Sequence, residues 1–368
     1  MEAAFVSLSI PTLAWHAATR ARRARARAEE GMAAPCGLSK WRTPGTVLMW
    51  HDCIPPSNAS LAPSASLDEQ LAYLRPLLNA DHRYKIGKHS RNQLGDLLDA
   101  VRTATGDTSL SGEGWQMLTC MLTYSYGQNR EGLLLWPTLM KIARLHRDPS
   151  RRGTFVELGA LDGQTLSNTY MLERCHGWRG LLIEAVPENF AKLLKSPRNV
   201  SKVHSAVCSD GRTSVRMTTG VGNYGAMAEL ASLAPVFDKK QHWKKVNESS
   251  TIAVPCTTLS KLMHASKLAH GADFLSLDVE GAEEMVLAAV DPAAFRLVLV
   301  EDTPGPTKEV HEKNERVYHR LTRAGMQFTH HLHANSVYIR NDTLPKLGIK
   351  RRPQRPRFLS GGRKKSGR

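Results

Sequence analysis

A chain of 368 residues that is 41% hydrophobic and 23% charged can bury a sizeable core, which excludes disorder throughout. Its net charge of +16 sits mostly at the ends, +9 in the last 28 residues and +4 in the first 45, so the body is nearly neutral. No apolar run reaches the ~18 residues of a membrane-spanning helix, and six cysteines without one C-x-x-C pair argue against a zinc ribbon or a dense disulfide framework.

Reduced thiols and an intracellular location, cytoplasmic or organellar, are the expectation from that cysteine pattern. Residues 1–65 are rich in Arg, Ala, Pro and Ser and predict a disordered or targeting segment; the Arg-rich, acid-poor opening suits an organelle transit peptide. Four N-x-S/T sequences occur, at Asn58, Asn199, Asn247 and Asn341. Chance supplies about two in a chain with twelve Asn, so alone they say little about secretion.

A helical lead-in is predicted over 66–147. Ser66 and Glu69 form a capping-box pattern, and "RNQLGDLLDAVRTA", "GWQMLTCMLTYSY" and "LLLWPTLMKIARLH" continue at helical spacing, with Pro137 expected to start or kink the last helix. The rhythm then changes. "TFVEL", "GLLIEA", "VHSAVCS", "ADFLSLDVE" and "RLVLVED" are short apolar runs that read as strands, and "TSVRMTT" and "TIAVPCTTL" as further strand pieces around a polar loop. Between the runs lie helical stretches: "TLSNTYMLERC", "PENFAKLLK" with Pro187 at a start position, "GAEEMVLAAV", and "KEVHEKNERVYHRLTRAG" closed by Gly325.

Alternating strands and helices predict a parallel α/β sheet covered on both faces, spanning about 150–342, with a basic disordered tail after it over 343–368. "MQFTHHLH" and "SVYIRN" are joined by only two residues, so the last strand should run antiparallel. That ending is expected of a Rossmann-like methyltransferase sheet (class I) and is unusual for a dinucleotide domain. The basic tails offer charge to nucleic acid or an anionic surface, but only Phe358 supplies an aromatic there, so no base-stacking platform is visible.

In open α/β sheets ligands sit beyond the carboxyl ends of the strands. "ELGALDG" lies at such an end. Gly159 and Gly163 permit a sharp turn and a close approach, while Glu157 and Asp162 would repel a pyrophosphate and suit a cationic ligand such as S-adenosylmethionine. Glu184, 21 residues after Gly163, stands at the spacing of an acid that accepts from ribose hydroxyls. Small residues around Ala206 would let an adenine lie flat. Asp278 and Glu280 leave the fourth strand where acids can orient a hydroxyl, take its proton or hold a metal. Glu283 and Glu284 read instead as first-turn acids facing the helix dipole. His330, His331 and His333 are further candidate bases; on a strand they cannot all converge on a metal, and no metal is expected.

"FVELGALDGQTLSNTYMLERCHGWRGLLIEAVPENF", then "AVCSDG", "VPCTTLSKLM" and "DFLSLDVEGAEEMVLAAV" resemble, in order, the blocks of the FkbM-type S-adenosylmethionine-dependent O-methyltransferases, and are similar to its "SNT" subgroup, which includes eukaryotic members. The likeness spans about 152–340. It implies cofactor roles for Glu157, Gly159, Asp162, Gly163, Asn168, Glu184 and the Ala206 turn, and places Asp278 and Glu280 on the active side of the sheet. It further implies methyl transfer to a hydroxyl of a sugar or small metabolite. The rival expectation is a catalytically silent relative that serves as a binding or trafficking module. A nicotinamide oxidoreductase is disfavoured by the missing third glycine of G-x-G-x-x-G, and no Asn-Pro-Pro-Tyr-like sequence follows the fourth strand to support methylation of nucleic-acid bases.

Overall fold

The computed structural model describes residues 97–99, 101–103, 106, 113–148, 151–219, 225–228, 230, 251–302, 307–350 and 356. The capping-box sequence at Ser66, the transit-like opening and nearly all of the basic tail lie outside the described residues.

After the helical residues 97–99 and 101–103 come α1 (Glu113–Tyr124) and α2 (Glu131–Ala143). Then follow β1 (Thr154–Leu158), α3 (Tyr170–His176), β2 (Arg179–Glu184), α4 (Pro187–Lys195), β3 (Ser201–His204), β4 (Ala206–Val207), β5 (Ser214–Thr219), β6 (Gly225–Met227) and β7 (Thr251–Thr257). The chain continues through α5 (Leu259–Ala265), β8 (Ala272–Leu277), α6 (Glu283–Ala288), β9 (Phe295–Glu301), α7 (Lys308–Arg323), β10 (Met326–Leu332) and β11 (Asn335–Arg340).

The main sheet has seven strands in the order β10-β11-β9-β8-β1-β2-β3. The pairs β1–β2, β1–β8, β2–β3 and β8–β9 are parallel, and β11 runs antiparallel to both β9 and β10. This is the mostly parallel, Rossmann-like arrangement with a reversed last strand that the short final connection predicted. The hairpin turn falls on His333 and Ala334 rather than on Ala334 and Asn335, with His333 left-handed at φ 57°.

Alternation along the strands sends successive side chains to opposite faces. Phe155, Leu182, Phe274 and Leu297 pack with Leu118, Met121, Trp136 and Leu139 of α1 and α2. Val156, Leu181, Leu275 and Val298 pack with Leu259, Val286, Val317 and Leu321 of α5, α6 and α7. The helices before the sheet therefore share its core. Pro137 stands inside α2, two turns after a helix start at Glu131.

Three expectations are corrected. "VHSAVCS" is not one strand: the chain parts from β2 after Ser205, and Ala206 and Val207 pair with Cys256 and Thr257 of β7. A second sheet, β4-β7-β5-β6, results; its inner face carries Ala206, Cys208, Val215, Met217 and Val254 against Ala185, Val279 and Ala282 at the carboxyl end of the main sheet. Helix α3 starts five residues after Thr165, so 159–169 is an irregular loop rather than a helix entry. The four described cysteines are not free thiols: Cys120 is bonded to Cys175 and Cys208 to Cys256, across sequence separations of 55 and 48 that a local spacing rule does not sense.

Candidate active site

Because β1, β2, β3, β8 and β9 are parallel, their carboxyl ends lie along one edge. Gly159, Glu184, Asp278 and Glu301 gather there. Gly159 and Asp278 are exposed, while Leu158, Leu277 and Ala160 around them are buried. The exposed Gly159 and Asp278 thus mark an opening between the exits of β1 and β8, referred to below as the groove. Gly159 has φ 77°, and a Cβ there would collide with the Asp278 carbonyl oxygen. The glycine lets two strand exits close on each other. Gly163, at φ 80°, serves packing too: the space beside it is filled by Leu193, Ser196 and Arg198.

Glu157 is 4% exposed and faces the loop. It accepts from Ser167 Oγ at 2.8 Å, the Asn168 backbone N–H at 2.7 Å and Thr169 Oγ1 at 2.6 Å. Beside it lies Arg198, whose Nη1 donates to the Gly163 carbonyl at 2.7 Å and Ser167 Oγ at 3.1 Å, whose Nη2 donates to Thr169 Oγ1 at 2.9 Å, and whose Nε pairs with Glu173. Its guanidinium carbon also stands 5.1 Å from the Tyr170 ring centre. Sequence reasoning missed Arg198, an unremarkable Arg in a polar loop. Asp162 is spent inside the same loop: Oδ1 accepts from the Gln164 and Thr165 N–H groups and Oδ2 from Thr165 Oγ1.

Glu184 is 4% exposed. It accepts from the Leu161 and Val186 N–H groups, each at 2.8 Å, with further bonds from Asn189 and Ala185. Burial nevertheless raises its carboxyl to about 7. In this arrangement it braces the β1 turn against β2, and a ribose hydroxyl would have to exchange with one of those donors. Ala206 is buried in β4, on the packed face of the second sheet. Asn168 donates to Ser276 Oγ at 3.1 Å, and its buried Oδ1 meets no donor among the described residues. Gly132 of α2 leaves just the room that the Asn168 carbonyl occupies, so the lead-in is seated on the "SNT" segment.

Asp278 and Glu280 do come together, within a larger set of acids. Asp278 opens on the groove, yet the surrounding protein strips it of water and, with the Glu283 charge next, raises it to about 6 against a hydrogen bond from Glu301 that lowers it. Glu280, left-handed at φ 52°, is raised to about 8 by burial and then by Asp278. Burial pushes Glu301 well above the usual carboxylate range and Asp302 to about 7. Glu283 is no solvated first-turn acid: it is fully buried and takes Lys313 Nζ at 2.6 Å and the Gly281 N–H at 3.1 Å. Glu284 pairs with Arg316 at 2.7 Å on the surface side.

The three His separate. His330 and His333 are exposed, and a register shift between Phe328 and His330 interrupts the alternation before them. His331 Nδ1 lies 3.0 Å from Ser336 Oγ, which in turn donates to Asp302. Among the described residues, no group of three or more His, Cys, Asp or Glu is arranged to hold a metal ion. No helix there is long and apolar enough to cross a membrane.

Two outcomes follow. Arg198→Met removes the partner of two buried carboxylates, and unfolding in urea should show a loss of about 3–5 kcal/mol; Arg198→Lys should recover little, since three of the acceptors need the guanidinium fork. The raised carboxyl of Asp302 binds its proton more tightly folded than unfolded, so its stabilising effect is full below pH ~4 and is lost as pH rises through about 7. The thermal midpoint of Asp302→Asn should therefore fall less steeply between pH 5 and pH 8 (about the range of the titration) than that of the unaltered chain; parallel curves would contradict the assignment.

Residues 157–328 match the model of the Methyltransferase FkbM domain. The solved structures that resemble the chain include the methyltransferase FkbM of Methylobacillus flagellatus KT, at 11% identity over 69% of this chain and 60% of that one, TM-score 0.32. The O-methyltransferase of Bacillus cereus in complex with SAH matches at 12% identity over 74% of this chain and 98% of that one, TM-score 0.30. Aeropyrum pernix fibrillarin with natively bound S-adenosyl-L-methionine matches at 15% identity over 55% and 72%, TM-score 0.28. The chain thus spans less than two thirds of the length of the Methylobacillus protein. No curated protein matches the sequence. The strand order accords with that match, and residues 157–328 are similar to the Methyltransferase FkbM domain family.

Proposed function

We propose that the groove between the β1 and β8 exits transfers a methyl group from S-adenosylmethionine to a hydroxyl oxygen of a sugar or small metabolite. The observation that carries this reading is the position of Asp278: it is the exposed acid on the groove floor, facing Gly159, among neighbours that are buried. The residues present fit such a cofactor in charge. The open wall is anionic through Asp278, and a sulfonium with an ammonium group is cationic. Glu184 and the Gly159–Leu161 backbone would hold its ribose side, and the Ala206 region its adenine side. When bound, the cofactor supplies an electrophilic methyl carbon.

The protein's own part is positioning and proton removal. Methyl transfer by direct displacement requires the acceptor oxygen in line and about 3 Å from the carbon. Asp278 is the base that suits this task. With its carboxyl raised to about 6 it is ionised at neutral pH, yet basic enough to take a proton from a hydroxyl that is losing it. Glu301, pushed well above the carboxylate range, keeps its proton and donates it in a hydrogen bond to Asp278, which orients the base. Glu280, raised to about 8, stays largely protonated at neutral pH and can donate a hydrogen bond to the acceptor. A hydroxyl-bearing acceptor is the class this arrangement serves, because an acceptor without a proton to lose has no use for Asp278.

A screen of sugar and small-molecule hydroxyls, read by release of S-adenosylhomocysteine, should find an acceptor whose turnover rises with pH through about 6. Asp278→Asn should lower that turnover, measured at saturating cofactor, by about 10²–10⁴. Full turnover in Asp278→Asn would remove Asp278 as base, while no turnover with any hydroxyl would favour the silent, binding-module reading.

A further inference from the structure

We propose that Asn199 carries an N-linked glycan, which places maturation of this protein in an oxidising secretory compartment. This inference stands apart from the methyl-transfer reading and uses none of its residues.

The compartment follows from the cysteines. All four described cysteines are paired, Cys120 with Cys175 and Cys208 with Cys256, each pair with its Cα atoms 5.9 Å apart. The first pair ties α1 to α3, and the second ties the chain after β4 to β7. Cystines of this kind, far apart in sequence and holding elements of the core together, persist where the surroundings are oxidising and are rare where thiols are kept reduced. Asn-x-Ser/Thr sequences are substrates for glycan addition in the same surroundings. A sequence pattern that is uninformative in a reducing cytosol therefore becomes informative here.

The site follows from position. Asn199 and Val200 lie in the short connection between α4 and β3, and Ser201 opens β3. Asn199 is exposed. Its backbone N–H is fixed on Glu173, and its side-chain amide bonds to no group among the described residues. The connection precedes β3, so it lies at the amino end of the parallel strands, opposite the groove of Gly159 and Asp278. Asn341-Asp342-Thr343 follows β11, whose reversed direction brings it to that same far end, but Asn341 is half-buried and Thr343 fully buried. Both described sequences thus spare the groove, and Asn199 is the accessible one. A bulky glycan there leaves the strand exits open. In the modification, Asn199 Nδ2 loses one proton and bonds to the anomeric carbon of a lipid-diphosphate-linked oligosaccharide; the carbon–oxygen bond to the diphosphate breaks, and the diphosphate leaves as the anion.

The test uses the full chain captured by antibody from the cells that make it. Treatment with peptide N-glycosidase in heavy-oxygen water should lower its mass and convert Asn199 to heavy-oxygen-labelled aspartate. Chain from cells given the Asn199→Gln change, which alters one exposed side chain, should migrate faster than the unaltered chain before treatment and should lack that label. An unmodified, unlabelled Asn199 would overturn the proposal. So would alkylation of Cys120 and Cys175 as free thiols in the same unreduced digest.

Discussion

One buried arrangement fixes the carboxyl end of β1: Glu157 with the three donors of residues 167–169, and Arg198 threaded between Glu157, Glu173 and the Gly163 carbonyl. Burying these charges costs several kcal/mol each unless every lone pair and proton finds a partner. Here the partners are supplied by the loop itself, so the loop cannot drift without exposing an unpaired charge. That loop is neither helix nor strand, and it includes Leu161 and Leu166 in left-handed conformations at φ 49° and 60°. Propensity would not hold it. The ionic brace does, and through it Gly159 is pressed against the Asp278 carbonyl and the groove floor takes its shape.

From that floor the electrostatics run one way. Asp278, Glu280, Glu283, Glu301 and Asp302 crowd the exits of β8 and β9, and Lys313 is the buried cation set among them. So many carboxylates cannot all ionise at once. Protons are held more tightly on Glu280, Glu301 and Asp302 than on the exposed Asp278. A stack of acids that would be a liability in a plain core becomes, at an open strand exit, a graded set in which Asp278 is raised least among the four shifted acids. The second sheet packs its apolar face over Ala185, Val279 and Ala282, beside these acids.

Much of the frame was legible in the sequence. Apolar runs of strand length set between helical stretches gave the main sheet, and the two-residue connection before "SVYIRN" gave its reversed strand. Pro187 and Gly325 marked helix ends that the structure keeps. What could not be read was non-local. Arg198 meets Glu157 across 41 residues of chain and Thr169 across 29, distances at which no periodicity speaks. The Cys208–Cys256 pair and the parting of β3 from β4 at Ser205 depend on β7, some 50 residues on. The acids of "ELGALDG" were read as facing a ligand, because a strand-exit acid with no visible partner looks free; Glu157 and Asp162 are instead bonded within their own loop. One signal was available and passed over: Lys313 and Asn314 stand on the same helical stripe as Val310, Val317 and Leu321. A lysine on a buried stripe calls for a buried acid, and Glu283 is that acid.

The central claim is that the braced groove at the β1 and β8 exits receives S-adenosylmethionine. Calorimetric titration of the full chain with that compound tests it most directly. The account predicts saturable binding at one site with a dissociation constant on the order of micromolar (about −8 kcal/mol), weakened tenfold or more by Glu184→Ala in a chain that still melts cooperatively. A cooperatively folded chain that takes up no heat from S-adenosylmethionine would contradict it, and the groove would then be a feature of the fold without the chemistry proposed for it.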